Sequence, residues 1–118
     1  MKNITKIIVL LFLFVTMTAM NETPKMELPQ TTYCMVVVQE LKSDYWVGYI
    51  DKWGYVIFEI CGYTYMDKGD IICGNVRSYS FKDVYNKTRD KSMRIYIEDY
   101  DLSKQRCTQW ITDHNKWK

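Results

Sequence analysis

Four cysteines and a single histidine are the residues of this chain best suited to metal or redox chemistry. Cys34, Cys61, Cys73 and Cys107 are separated by 27, 12 and 34 positions, and His114 follows Cys107 by seven. A structural zinc site draws on close ligand pairs of the Cys-x₂₋₄-Cys kind, so no metal and no cofactor is expected. A redox pair of the Cys-x-x-Cys type, which lowers a thiol pKa at a helix start, is also missing. An even cysteine count in a small domain fits disulfide bonds in an oxidising compartment. Four cysteines allow three connectivities. Within CGYTYMDKGDIICG, residues 61–74, a hairpin turning at Asp67–Gly69 would set Cys61 beside Cys73 and leave Cys34 to reach Cys107. The alternative for Cys107 is a free thiol acting as a small hydrophobe on a helix face.

Hydrolytic chemistry has weaker support. A Ser–His–Asp or Cys–His arrangement needs a histidine steadied by a third group, and His114 lies near the chain end. Paired carboxylates are the other route. Glu98, Asp99 and Asp101 cluster near the end of a strand-like run, and Glu59 stands between Phe58 and Ile60. A small hydrolase using Glu59 or the Glu98–Asp101 group is therefore an alternative, but no catalytic residue is assigned. Aromatic residues are the stronger signal. Of 4 Trp, 10 Tyr and 4 Phe, only Phe12 and Phe14 lie in the leader. Trp46, Phe58, Trp110 and Phe81 read as core. Tyr45, Tyr49, Trp53, Tyr55, Tyr63 and Tyr65 are candidates for an outer face that could stack on sugars or meet a protein partner.

These side chains need a scaffold, and the N-terminus says where it is built. Lys2 and Lys6 precede the apolar run Ile7–Val15, and Thr16, Thr18 and Ala19 follow. Residues 1–19 thus read as a signal peptide, and the run is too short for a bilayer span of about 20 residues. Export to the periplasm or the outside, with no stable membrane anchor, is expected. Loss of Lys2 and Lys6 lowers the 16 basic residues to 14, against 14 acidic ones. Lys87, Arg89, Lys91 and Arg94 are interrupted by Asp83 and Asp90, so the clustered positive surface that nucleic acid requires is not expected.

Residues 20–32 hold both prolines and read as an extended lead-in. Residues 33–118 form the single domain. Strand-like runs occupy 33–41, 45–50, 55–61, 70–73 and 93–98, the last alternating Met93, Ile95 and Ile97 with Arg94, Tyr96 and Glu98. Residues 75–92 read as a helical turn or irregular connection that carries Phe81, Val84 and Tyr85 inward. Leu102, Cys107, Trp110, Ile111 and His114 share one side of a terminal helix capped by Ser103, with Leu102 and Cys107 as a hydrophobic staple. The expected fold is mainly β: a small five-stranded antiparallel barrel, OB-like or SH3-like, with a C-terminal α-helix. Asn21-Glu-Thr and Asn86-Lys-Thr match the glycosylation pattern.

The stretches KGDIICGNV, VYNKT and RIYIEDYDLSK, within residues 33–112, resemble small exported proteins of unassigned function from Bacteroidota-type bacteria. The resemblance implies a bacterial, exported, single-domain protein and transfers no active-site residue. The expected function is a non-catalytic binding module for a protein or glycan. An inhibitor or structural protein of the cell envelope is a further alternative.

Overall fold

The computed structural model of the protein describes residues 32–118. The signal peptide expected over 1–19 and all of the expected lead-in except Thr32 lie outside the described residues. The elements are β1 (Tyr33–Glu40), β2 (Tyr45–Ile50), β3 (Gly54–Cys61), β4 (Ile71–Gly74), β5 (Ser80–Asn86), β6 (Lys91–Leu102) and α1 (Lys104–Asp113). The six strands close into a barrel in the order β1-β2-β3-β6-β5-β4. Every neighbouring pair is antiparallel. Closure leaves no full-length sheet edge exposed.

The barrel thus has six strands where the sequence suggested five. The added strand is β5, from the segment read as a turn or connection. Its alternation was hidden because the usual rule is inverted there. Val84 and Asn86 are buried, whereas Phe81 and Tyr85 face outward and are exposed. A polar residue inside and aromatic ones outside remove the period-two signature.

Alternation sorts the other strands cleanly. Trp46 and Ile50 of β2, Val56, Phe58 and Ile60 of β3, and Met93, Ile95 and Ile97 of β6 fill the interior. Met66 and Val76, from the β3–β4 and β4–β5 connections, join that core from opposite ends. A second cluster lies outside the barrel wall, where Val47 and Ile57 meet Leu102, Cys107 and Ile111 of the helix region. Ser103 caps α1 by accepting a hydrogen bond from the Arg106 amide at 3.1 Å. Leu102 and Cys107 share that cluster, as a hydrophobic staple requires.

The cysteines pair differently from the expectation. Cys34 is bonded to Cys73, with their Cα atoms 4.0 Å apart. Cys61 and Cys107 are free thiols. The reason is topological. β4 does not fold back on β3; it crosses to β1, where Cys34 stands directly opposite Cys73. β6 takes the place beside β3 and sets Cys61 opposite Arg94. Cys107 is buried on the inner face of α1 as an apolar side chain.

Candidate functional site

The antiparallel order puts the starts of β1, β3 and β5 and the finishes of β2, β4 and β6 at one end of the barrel. At this end the β2–β3 turn presents Trp53, which is 47% exposed. Gly54 makes that position possible. Its backbone has φ 116°, and a Cβ there would meet the Leu102 carbonyl oxygen at 2.5 Å. Only glycine combines that conformation with so close an approach of β3 to β6.

The Arg77 guanidinium lies 3.3 Å from the Trp53 ring centroid and 5.0 Å from that of Tyr33. Its Nε donates to Asp101 Oδ1 at 2.8 Å and Nη2 to Oδ2 at 2.6 Å, while Nη1 donates to the Tyr33 hydroxyl at 3.0 Å. This bidentate grip holds the Asp101 carboxyl below its ordinary pKa. Asp101 reaches the arginine from a left-handed backbone, φ 56°, a conformation aspartate tolerates better than most residues. Arg77, Tyr33, Trp53 and Asp101 therefore form one fixed cluster.

Beside it opens a cleft of about 500 Å³ lined by Tyr49, Trp53, Tyr55 and Asp101, together with Lys52, Ser103 and Lys104 and the backbone at Gly54 and Leu102. Tyr49 and Tyr55 are cross-strand partners with ring centroids 4.9 Å apart. Arg77 and Tyr33 are not part of the lining, so the guanidinium backs the indole from outside the cleft. Aromatic faces, a hydroxyl and charged groups thus meet in a shallow opening, the surface that stacks sugar rings and hydrogen-bonds their hydroxyls.

Of the six aromatic candidates, the structure brings Tyr49, Trp53 and Tyr55 together here. Tyr45 goes elsewhere: its ring is 5.9 Å from Trp110 of α1, and its hydroxyl donates to Glu98 at 3.1 Å. Burial, with Glu98 and Glu59 nearby, pushes the Tyr45 phenol up to about 12, so it stays a donor at neutral pH. Tyr63 and Tyr65 belong to the β3–β4 connection at the opposite end of the barrel. Tyr63 is fully exposed, and Tyr65 lies under the Arg89 guanidinium at 4.5 Å. The six-residue outer platform is thus divided among three places.

Sequence reasoning missed Arg77 and the cleft lysines. Arg77 comes from a connection with no periodic pattern and meets Trp53 from 24 positions away, so no local signal marked it. It also missed an aromatic stripe on the outer face of β5 and β6. Phe81 and Tyr96 are cross-strand partners at 4.8 Å, with Tyr85 on the same side of β5 as Phe81. Phe81, expected in the core, is 56% exposed.

The acidic residues are dispersed. Asp101 is paired with Arg77, Glu98 accepts from Tyr45, and Asp99 accepts from the Tyr79 hydroxyl at 3.2 Å. Glu59 lies on the outer wall between Tyr45 and Tyr96 in the strand register. His114 stacks on Trp110 at 3.9 Å and its Nδ1 lies 2.8 Å from the Trp110 carbonyl oxygen, which makes it a helix-end residue. Burial pushes the Cys107 thiol up to about 11 and raises that of Cys61 as well, so neither is a thiolate nucleophile at neutral pH. Among the described residues no three His, Cys, Asp or Glu side chains are placed to hold a metal ion.

At the far end, buried Asp70 accepts from Arg89 Nε at 2.7 Å, Asn86 Nδ2 at 2.9 Å and the Asp67 amide at 3.1 Å. Asn86 is 1% exposed and committed to this network, so the Asn86-Lys-Thr pattern offers no accessible acceptor. Arg89 and Arg94, two members of the interrupted basic group, are paired with Asp70 and Asp83.

A groove of about 240 Å³ also runs along the seam between helix and barrel. Its walls include Val47, Cys107 and Ile111, each buried in the second core cluster, so it is part of the helix packing. No known protein family, curated protein or solved structure matches the chain.

Proposed function

We propose that the protein is an exported, non-catalytic module that binds a glycan at the Trp53 cleft. The observation that carries this reading is Trp53 itself, a half-exposed indole braced from behind by Arg77. An aromatic side chain fixed before binding loses little conformational freedom when a ligand stacks on it. Tyr49 and Tyr55 extend the apolar surface, and Ser103 and the lysines supply the polar partners that a sugar ring needs. The Cys34–Cys73 bond fits a compartment outside the cytosol. Among the described residues no helix is long and apolar enough to cross a membrane, which is compatible with release after leader cleavage.

A glycan array probed with the disulfide-bonded protein tests the reading. Binding should vanish in Trp53→Ala and weaken in Tyr49→Ala, with both variants keeping the wild-type circular dichroism. Full retention of binding by a folded Trp53→Ala protein would refute it. A protein partner is the second reading, favoured by the exposed Phe81 ring set against the half-buried Tyr96. It predicts a complex lost in Phe81→Ser and untouched by Trp53→Ala.

A further inference from the structure

We infer that the glycan taken by the Trp53 cleft is acidic, a saccharide bearing a uronate carboxylate or a sulfate; this rests on the glycan reading above. The charges around the cleft do not balance. Lys52 stands in the β2–β3 turn and Lys104 begins α1, and both line the opening. Neither forms an ion pair among the described residues, where Lys118 is the one lysine that does. The cleft's one carboxylate is Asp101, and both of its oxygens are already held by Arg77. Asp51, next to Lys52 in the chain, is not part of the lining.

The cleft therefore offers two cations with no free anion to answer them. A neutral sugar stacked on Trp53 would accept hydrogen bonds from the lysines but leave their charge unanswered. A sugar carrying a carboxylate or sulfate would satisfy it while keeping the same ring contact, and the attraction would strengthen in a partly enclosed opening. Lys52 has φ 75°, a left-handed backbone that glycine or asparagine adopts more readily. A lysine there is costly for the turn alone, which fits a side chain used for binding.

The test is an array carrying neutral, uronate-bearing and sulfated oligosaccharides of matched length, probed with wild type, Trp53→Ala and Lys52→Gln/Lys104→Gln. Acidic glycans should dominate for the wild type, and raising NaCl from 50 to 500 mM should weaken them at least tenfold. The double lysine variant should lose that preference by a factor of ten or more while its melting temperature stays near wild type. Trp53→Ala should lose every signal. Equal binding of neutral and acidic glycans, or an unchanged acidic preference in the double variant, would overturn the acidic inference and leave the glycan reading standing. No glycan bound by the wild type, or binding unaffected by Trp53→Ala, would overturn both.

Discussion

The Arg77 guanidinium lies over the Trp53 indole at 3.3 Å and grips both oxygens of Asp101 with the same planar group. One side chain thus fixes an aromatic ring and neutralises the only acid of the cleft, although it does not line the cleft itself. Lysine cannot replace it, because an ammonium neither stacks flat nor bonds a carboxylate through two parallel donors. Arg77→Lys and Arg77→Ala should each leave the barrel folded. Both should weaken binding at the Trp53 cleft by roughly three- to tenfold, through lost preorganisation and an unmasked Asp101. Titration of any ligand identified on the array checks this; equal affinity for wild type and Arg77→Ala would show that the brace has no role in recognition.

The disulfide makes a second, independent prediction. Cys34 and Cys73 are 39 positions apart and join β1 to β4, the shortest strand of the barrel. Crosslinking a loop of that length removes unfolded-state entropy worth about 4 kcal/mol. Cys34→Ser/Cys73→Ser, or reduction of the native chain, should lower the melting temperature by roughly 15 °C or more for a domain of this size. Intact mass after alkylation in denaturant should show two labelled thiols before reduction and four after it, since Cys61 and Cys107 are free. Zero labels before reduction would mean a Cys61–Cys107 bond, against the two free thiols of the structure.

Much of the scaffold was legible because alternation is local. Residues 93–98 displayed the inward set Met93, Ile95 and Ile97 directly, and Ser103 with Leu102 and Cys107 marked the helix start. β5 was not legible, since its outward aromatics and inward Asn86 reverse the usual polarity. The cysteine pairing failed for a different cause. A hairpin between β3 and β4 is the economical guess from the Asp67–Gly69 turn, but β4 crosses to β1, and crossovers leave no mark in local pattern. Of the six aromatic candidates, Tyr49, Trp53 and Tyr55 share the cleft and Tyr45, Tyr63 and Tyr65 lie elsewhere. Alternation put Tyr45 and Tyr49 on one outer face, but it could not say that α1 would lie over one and leave the other beside the cleft.

The pH dependence of stability follows from three groups. Asp101 is held below its ordinary pKa chiefly by Arg77. For Asp70, burial alone would raise the pKa, but hydrogen bonds from Arg89 and Asn86 outweigh it and the net shift is downward. Both carboxylates are bound more tightly as anions in the folded state. Their stabilisation is complete above the unfolded carboxyl pKa of about 4 and is lost as pH falls below it. Tyr45 behaves oppositely. Its folded pKa of about 12 exceeds the unfolded value, so its contribution is complete below about pH 10 and disappears as pH rises further. Urea unfolding from pH 2 to 12 should give a plateau bounded by these limbs. Asp70→Asn should shallow the acid limb and cost about 2–3 kcal/mol at pH 7, since it removes a charged acceptor from Arg89. A pH-independent difference between that variant and wild type would disprove the assignment.

Gly54 supplies the most direct test of how the fold builds the cleft. The residue combines φ 116° with a backbone contact that a methyl group would violate, at 2.5 Å from the Leu102 carbonyl oxygen. The obstacle is main chain, so it cannot swing aside as a side chain would. Gly54→Ala must therefore push β3 away from β6 or twist the β2–β3 turn, at a cost of at least ~2 kcal/mol. Either movement displaces Trp53 from Arg77, because Trp53 is the residue immediately before Gly54. The variant should thus lose stability and cleft binding together. Gly69→Ala serves as the control: it also has a positive φ, 96°, but no atom lies within 4 Å of its would-be Cβ, and it sits in the β3–β4 connection at the opposite end. That control should lose some stability through backbone strain alone and keep binding at the Trp53 cleft. A Gly54→Ala protein with wild-type affinity would mean that the turn holds Trp53 without the close β3–β6 approach.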